Sequence, residues 1–264
     1  MVAAGIDRLL AEPAWTRLAR GRRTALLCHG ASVDRAGRHS FDLLCSSRDT
    51  RPVMLLVPEH GLFGEQAYME PVPDSRDPRL GLPVVSLYGD AVESLAPSRS
   101  LVKGLDAVIF DLQDVGARYY TYLATLAMTM ETCAAEGVQV VVLDRPNPIG
   151  LVEVEGNRVL PAFRSFVGYA DLATRHGMTA GEVARLYAAT AGLPVDLVVV
   201  PCAGLRRGDL WPDTGLPFVP PSPNIPGWET ALVYPGMCLL EGTNLSEGRG
   251  TTTPFLLAGA PYVP

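Results

Sequence analysis

The sequence predicts an α/β fold with a doubly wound, mainly parallel sheet and helices on both faces. Two observations predict it: short continuous apolar runs, and intervening segments with apolar residues at helical spacing. Continuous apolar runs are typical of parallel strands, because such strands are buried on both faces. A length of 264 residues and an apolar content of 48% suffice for one sizeable core.

Six apolar runs are expected to form the strands, at residues 24–28, 53–57, 84–87, 107–110, 138–143 and 195–200. Between them, residues 119–136 carry the clearest helical pattern, and Gly137 supplies its end. A second helix should begin at Thr179, because Thr179 and Glu182 have the spacing of a capping box. The many prolines and glycines in residues 212–235 favour an ordered irregular loop there.

Net charge indicates the kind of partner to expect, and cysteine content indicates the cellular compartment. A net charge of −6 without a run of Lys or Arg argues against a nucleic-acid or membrane partner and favours a small molecule or glycan. The five cysteines are far apart and predict buried thiols in a reduced compartment. With no signal peptide or membrane span apparent, we expect a cytoplasmic protein, or a secreted or periplasmic one if a signal was removed.

Polar residues follow three of the predicted strands. Because ligands bind outside the carboxyl ends of parallel strands, these residues are the first candidates for a site. Glycoside cleavage needs one carboxyl group that gives a proton to the leaving oxygen and a second that supports an oxocarbenium-like centre. Alternatively, each acid caps a helix or pairs with an arginine. The candidates are Glu59 and His60 after the second run, Asp111, Asp114 and Arg118 after the fourth, and Asp144, Arg145 and Asn147 after the fifth.

Three histidines, His29, His60 and His176, raise the possibility of a metal site near the same cleft. Their spacing matches no tight ligand motif, so we expect no metal and no cofactor, with the imidazoles forming hydrogen bonds instead. The sequence also lacks a G-x-S-x-G elbow, a phosphate-binding P-loop and a G-x-G-x-x-G turn after a strand. These absences argue against a serine hydrolase and a dinucleotide enzyme.

A separate polar cluster lies near the C-terminal end, at residues 240–252, and includes Glu241, Asn244, Glu247 and Arg249. A glycine-rich structural turn is the simpler interpretation. The functional one is that these side chains bind sugar hydroxyls and an acidic substituent. Arg249 is the leading candidate for a carboxylate partner, because a guanidinium binds carboxylates through two parallel hydrogen bonds.

At these segments the sequence resembles the exo-β-N-acetylmuramidase family, formerly a family of unknown function. The similarity covers nearly the whole chain and includes Pro58-Glu59-His60-Gly61-Leu62. The other matching segments are residues 86–89, 111–118, 120–122, 143–148, 165–168, 175–179, 221–224, 234–236 and 241–252. Two segments depart from the family pattern: Cys28-His29-Gly30, in place of a Thr-Asn-Gln-like turn, and residues 170–174, in place of a stretch with more proline.

The resemblance implies a Rossmann-like catalytic domain, which we assign to residues 1–240. Residues 241–264 would then begin a smaller C-terminal domain or form a loop that crosses to it. The implied reaction is release of N-acetylmuramic acid from the non-reducing end of peptidoglycan fragments. The competing hypotheses are a non-catalytic glycan-binding protein, and a metal-dependent hydrolase or sugar-phosphate transferase.

Under the muramidase hypothesis, Glu59 is the general acid and His60 orients it. Asp111 or Asp114 supports the developing positive charge or attacks it. Retention, inversion and substrate assistance by the acetamido group all stay open. The expected substrate-binding residues are Arg118, Tyr119, Asp144, Arg145, Asn147, His176, Asn224, Glu241, Asn244, Glu247 and Arg249.

Overall fold

The computed structural model describes residues 1–59, 61–62, 74–88 and 92–262. These residues form a seven-stranded sheet in the order β3-β4-β2-β1-β5-β6-β7. All neighbouring strands are parallel except β3 and β4. The strands are β1 Thr24–Cys28, β2 Met54–Val57, β3 Ser75–Arg76, β4 Pro83–Ser86, β5 Ala107–Asp111, β6 Gln139–Leu143 and β7 Leu197–Val200.

The six predicted strands are confirmed, with ends that differ from the prediction by two residues at most. The short edge strand β3 was not predicted, because its two residues are exposed and polar and carry no apolar signal. It exists through antiparallel pairing of Ser75 with Val84 and of Arg76 with Pro83. Numbered without β3, the parallel strands follow the order 3-2-1-4-5-6 of a Rossmann-like sheet. The strand order reverses between β1 and β5, where this fold class binds ligands.

Helices pack on both faces of the sheet, as predicted. One face is covered by α1 and α3, whose Ile6 and Phe41 pack with Leu26 and Ile109 of the central strands. The opposite face is covered by the longer helices. The helices are α1 Gly5–Ala11, α2 Pro13–Thr16, α3 Ser40–Cys45, α4 Arg99–Val102, α5 Tyr122–Glu136, α6 Ala180–Thr190, α7 Trp211–Thr214 and α8 Trp228–Met237.

The larger core lies on the α5 and α6 side. Leu27 and Phe110 alternate with the residues that face α1, and they pack here against Leu126 of α5 and Val183 of α6. Alternate residues of one strand therefore bury into different layers, which is why the strand sequences are apolar throughout.

The two predicted helices are confirmed. Helix α5 begins three residues later than expected and ends at Gly137, which has the positive φ of 67° that glycine adopts without strain. Helix α6 begins with the predicted capping box. The Glu182 amide donates to Thr179 Oγ1 at 3.2 Å, and Glu182 Oε2 accepts from the Thr179 amide at 3.1 Å.

The prediction of an irregular loop over residues 212–235 is wrong at both ends: residues 212–214 belong to the short helix α7, and α8 forms in the last third with Pro235 inside it. A proline removes one helical hydrogen bond and disfavours the preceding turn. Here Ala231 and Tyr234 bury their side chains in the larger core, and this packing favours the helix. The helix ends at Met237, soon after the proline.

Two further properties bear on the sequence predictions. Among the described residues, no helix combines the length and the apolar character that a membrane crossing requires. None of the five cysteines forms a disulfide. Cys28 and Cys133 are buried and the other three are half-buried, so burial is complete for only two of the predicted thiols.

Candidate active site

A cavity of about 490 Å³, here called the central cavity, lies beside the carboxyl ends of β2 and β4. The start of α5, the segment around Ser222 and the chain from Tyr234 onward form its other walls. Five of the predicted site residues line it: Glu59, Tyr119, Asn224, Glu241 and Arg249. The other lining residues are Tyr88, Tyr120, Thr121, Tyr122, Phe166, Val167, Ser222, Ile225, Tyr234, Cys238, Leu239, Gly242 and Phe255.

Glu59 is placed in the cavity wall by strand β2. Leu55, Leu56 and Val57 are buried in the sheet, and the chain leaves β2 at Pro58. The Gly61 amide donates to the Pro58 carbonyl at 3.2 Å and closes a turn around Glu59. Glu59 itself is only 9% exposed. A carboxyl group is therefore fixed at the cavity with little contact with bulk water.

Tyrosines form the wall beside Glu59. Tyr120 packs edge-on against Tyr122 and Tyr234, with ring centroids 4.8 and 6.0 Å apart. The Tyr120 hydroxyl is buried and forms no hydrogen bond of normal geometry. Burial raises the pKa of Tyr120, and the nearby Asp114 and Glu59 carboxylates raise it further. The hydroxyl thus stays protonated and is a hydrogen-bond donor located near two carboxylates.

Sequence reasoning assigned no role to Tyr120 or Tyr122. The signal was present, because residues 119–122 read Tyr-Tyr-Thr-Tyr directly after a strand-end segment. Tyr119 was predicted to bind substrate. It lines the cavity and its hydroxyl donates a hydrogen bond to the Pro235 carbonyl, which joins the segment before α5 to α8.

Asp114 and His176 form a buried pair behind the tyrosines. Asp114 Oδ2 accepts hydrogen bonds from the Gly116 amide at 2.7 Å and from His176 Nε2 at 3.1 Å. His176 Nδ1 accepts from the Met178 amide at 3.2 Å, so the ring proton is on Nε2. Gly116 has a φ of 86°, and a Cβ there would lie 2.5 Å from Asn147 Oδ1, so this turn requires glycine. Asp114 Oδ1 is buried without a partner.

Asp111, unlike Asp114, forms a buried ion pair with an arginine. It is fully buried at the end of β5, and its Oδ1 accepts from Arg145 Nε at 2.8 Å. Arg145 also donates to the Val33 carbonyl at 2.9 Å. Neither residue lines the central cavity. This is the structural ion pair that the alternative interpretation of strand-end acids described.

Asp144 and Asn147 also form bonds within the protein rather than facing the cavity. Asp144 accepts from Thr179 Oγ1 at 2.8 Å and from the Gly181 amide at 2.9 Å, so it caps the start of α6. Burial raises the pKa of Asp144 to about 6. Asn147 donates to the Met178 carbonyl at 3.1 Å and accepts from the Ile149 amide at 3.1 Å.

Arg118 joins two loops and does not line the central cavity. Its guanidinium donates to the Leu172 carbonyl at 2.8 Å and to the Asn157 carbonyl. Of the candidate residues after the three strands that the structure describes, Glu59 alone therefore lines the central cavity. The other side chains form hydrogen bonds with loop carbonyls, with the start of α6, or with one another.

The polar cluster at the C-terminal end centres on Arg249. Its Nη2 donates to Glu241 Oε1 at 2.6 Å and its Nε donates to Glu247 Oε1 at 3.0 Å. The guanidinium also lies over the Phe255 ring, 5.6 Å from its centroid. Arg249 is the one cation among the described residues that line the central cavity. Asn244 is exposed, and its carbonyl accepts from the Tyr262 hydroxyl at 3.1 Å.

The two candidate histidines that the structure describes, His29 and His176, form hydrogen bonds within the protein. His29 Nε2 accepts from the Gln113 amide at 2.9 Å, and both nitrogens of His176 are bonded as described above. Within the described parts of the chain, no three His, Cys, Asp or Glu side chains form a group suited to a metal ion. His60, the predicted partner of Glu59, lies outside the described residues.

The fold and the site together define a class of protein: a Rossmann-like α/β domain with a carboxyl group, a tyrosine wall and an arginine around one cavity. The family model described as "Exo-beta-N-acetylmuramidase NamZ, N-terminal" matches residues 24–229. The model described as "Exo-beta-N-acetylmuramidase NamZ, C-terminal" matches residues 232–264. The chain belongs to the exo-β-N-acetylmuramidase NamZ family.

Similar proteins support this assignment. The chain is 42% identical over 262 residues to a peptidoglycan beta-N-acetylmuramidase NamZ from Bacillus subtilis strain 168, covering 99% of this chain and 62% of that protein. Two crystal structures of DUF1343 family proteins from Bacteroides fragilis NCTC 9343 are also similar. The first has a TM-score of 0.91 and 33% identity, covering 100% of this chain and 66% of that one. The second has a TM-score of 0.81 and 31% identity, covering 99% and 67%. The chain thus spans about three fifths of the curated relative.

Proposed function

We propose that this chain cleaves N-acetylmuramic acid from the non-reducing end of glycan fragments derived from peptidoglycan, in cell-wall turnover. The observation that carries the proposal is the placement of Glu59 and Arg249 on walls of one cavity lined by tyrosines. Such a cavity offers an acid for the glycosidic oxygen and a cation for an acidic substituent. Family membership supports the same reaction.

Glu59 is our candidate for the general acid. It is buried at the cavity wall, so a proton on its carboxyl group can pass to the leaving oxygen with little competition from bulk water. Tyr88, Tyr120 and Tyr122 on the adjoining wall supply flat surfaces against which a sugar ring can pack. The Tyr120 hydroxyl adds a donor for a sugar oxygen.

Asp114 is a better candidate than Asp111 for the second carboxylate. Asp111 forms a buried ion pair with Arg145, and its negative charge is balanced there. Asp114 has one oxygen without a partner, and its charge acts on Tyr120 at the cavity wall. His176 and the Gly116 amide hold the other oxygen and fix the orientation of the carboxylate. Asp114 is therefore positioned to support positive charge that develops near Tyr120.

Arg249 is our candidate for the partner of the lactyl carboxylate of muramic acid. Two carboxylates already surround it, so the trio with Glu241 and Glu247 carries a net charge of −1 and does not attract a third anion. Glu247 is buried, whereas Glu241 is exposed. We propose that the substrate carboxylate replaces Glu241 on Arg249, because a solvent-exposed ion pair is worth only about 0–1 kcal/mol.

The experiment is to incubate the 264-residue chain with nitrophenyl N-acetyl-β-muramide and, in parallel, with the matching glucosaminide, each with and without chelator. We expect nitrophenol release from the muramide alone, unaffected by chelator. Equal release from both substrates would contradict a role for the lactyl group. Binding of muramic acid fragments without release would support the glycan-binding alternative, and loss of release in chelator would support the metal-dependent one.

A further inference from the structure

A second cavity of about 870 Å³, here called the side cavity, lies between α5, α6 and the segment from Val154 to Met178. Its volume is within the range of about 300–1,000 Å³ that is usual for ligand sites. None of the residues proposed above as acid, second carboxylate or lactyl partner lines it. The central and side cavities share one wall residue, Phe166, and the next residue, Val167, lines the central cavity.

The wall of the side cavity contains a pre-arranged polar cluster. Glu131 of α5 accepts hydrogen bonds from the Tyr169 hydroxyl, at 2.7 Å, and from the Tyr187 hydroxyl of α6. The two tyrosine rings lie 6.2 Å apart, tilted by 44°. Ser165 and Thr190 add two more hydroxyl groups to the lining. Aromatic surfaces beside hydroxyl and carboxylate groups are suited to a ligand that has both apolar ring faces and many hydroxyls.

The charges of the side cavity balance. Its described lining contains two arginines, Arg158 and Arg164, and two carboxylates, Glu131 and Asp171. Arg158 and Asp171 are paired with each other. A peptide with several carboxylates, or a phosphorylated ligand, would favour an excess of positive charge. A ligand with few charges, such as a glycan with one lactyl carboxylate in every two sugars, fits this lining better.

We infer that the side cavity binds the sugars on the leaving-group side of the scissile bond, so that a glycan extends past Phe166 from one cavity into the other. The inference rests on the proposed function and names the part of the substrate that this site recognises. It follows from the shared wall, the balanced charge and the hydroxyl-rich aromatic lining. The site would make longer glycans better substrates than short ones.

A kinetic test uses two variants of α6. Ala191 follows the helix, is exposed and lines the side cavity, so Ala191→Trp obstructs the cavity with little risk to folding. Ala189 is exposed on the same helix but lines neither cavity, so Ala189→Trp is the matched control. For each protein, kcat/KM is measured on the nitrophenyl muramide and on a peptide-free tetrasaccharide. Ala191→Trp should lower the tetrasaccharide-to-muramide ratio by about tenfold, whereas the control keeps the wild-type ratio. An unchanged ratio in Ala191→Trp would overturn the inference.

A binding test does not depend on turnover. Met128 and Met178 line the side cavity, and among the described methionines neither Met130 nor Met237 lines a cavity. With methionine methyl groups labelled, NMR spectra of the Glu59→Gln variant are recorded with the tetrasaccharide, with the monosaccharide, and with a peptide-bearing fragment. We expect the tetrasaccharide to shift Met128 and Met178, and the monosaccharide to leave them in place.

The two tests separate the two proposals. Shifts of Met128 and Met178 without hydrolysis by wild type would refute the proposed reaction and keep the glycan site. Hydrolysis without these shifts would refute the glycan site and keep the reaction. Shifts seen only with the peptide-bearing fragment would assign the side cavity to the peptide and overturn the inference.

Discussion

Glu59 and Asp144 are two acidic residues with the same sequence signal and different structural roles. Each follows a buried parallel strand of the central sheet, and each is at least nine-tenths buried. Asp144 accepts hydrogen bonds from Thr179 and Gly181 at the start of α6, whereas Glu59 lines the central cavity. The strand end alone therefore does not predict a functional acid. The role of such an acid depends on whether the start of a helix is packed against its carboxylate.

The helix that Asp144 caps is distant in sequence. Asp144 and Gly181 are separated by 37 positions, and a Cβ on Gly181 would lie 3.0 Å from the Asp144 carboxylate. Glycine at this position allows α6 to approach the strand end closely. The contact is set by tertiary packing, so the local sequence around Asp144 does not reveal it.

The largest expected effect is the loss of activity in Glu59→Gln. Glutamine keeps the size of the side chain and removes the proton that the leaving oxygen needs. We expect kcat for a substrate with a poor leaving group to fall by about 10²–10⁴-fold. Thermal unfolding should stay close to wild type, since Glu59 lies at a cavity wall. Near-wild-type turnover would remove Glu59 from the acid role.

The next effect concerns the buried pair of Asp111 and Arg145. Arg145→Ala leaves the Asp111 carboxylate buried without its cation, and breaking such a pair costs about 3–5 kcal/mol of the free energy of unfolding. Urea unfolding measures this loss. Activity per folded molecule should persist at low temperature, because neither residue lines the central cavity. A stable but inactive variant would instead indicate that Arg145 binds substrate.

A smaller effect is expected at Asp144, and it depends on pH. Burial raises the pKa of Asp144 from 3.8 to about 6, so the folded state binds this proton more tightly than the unfolded state. The contribution of Asp144 to stability therefore falls as pH rises from about 4 to about 6. Asp144→Asn lacks this titration. Its free energy of unfolding relative to wild type should rise by on the order of 2 kcal/mol between these pH values.

Denaturant unfolding of the two proteins across this pH range provides the check. The Asn variant keeps an acceptor for the Gly181 amide, so it should fold and retain activity on the muramide. A pH-independent difference in stability would contradict the titration of Asp144, and lost activity in a folded variant would return Asp144 to the substrate-binding residues.

The smallest effect is expected at Glu241, a carboxylate that lines the central cavity and is held by an exposed ion pair with Arg249 and by a weak hydrogen bond from the Cys238 thiol. Glu241→Gln removes the anion that competes with the substrate for Arg249. We expect KM for the muramide to fall by about two- to fivefold, in line with an exposed ion pair. The KM of any residual reaction with the glucosaminide should not change. A raised KM for the muramide would mean that Glu241 itself binds the substrate.

Much of the fold follows from the sequence, because burial on both faces makes a parallel strand apolar throughout and a capping box marks a helix start. Strand β3 and helix α8 do not follow from it. Strand β3 depends on pairing at the sheet edge, and helix α8 depends on burial of Ala231 and Tyr234. Within the site, the sequence indicates Glu59 and Arg249. It does not separate Asp114 from Asp111, because their roles depend on which long-range partners, His176 or Arg145, reach them.

The central claim is that Glu59 protonates the leaving group, and its most direct test compares leaving groups. The turnover of Glu59→Gln and wild type is measured on a dinitrophenyl muramide, whose leaving group needs no proton, and on the disaccharide of N-acetylmuramic acid and N-acetylglucosamine, whose alcohol leaving group does. We predict a large loss on the disaccharide and a small loss on the dinitrophenyl substrate. Equal losses on both substrates would contradict the claim and assign Glu59 another role.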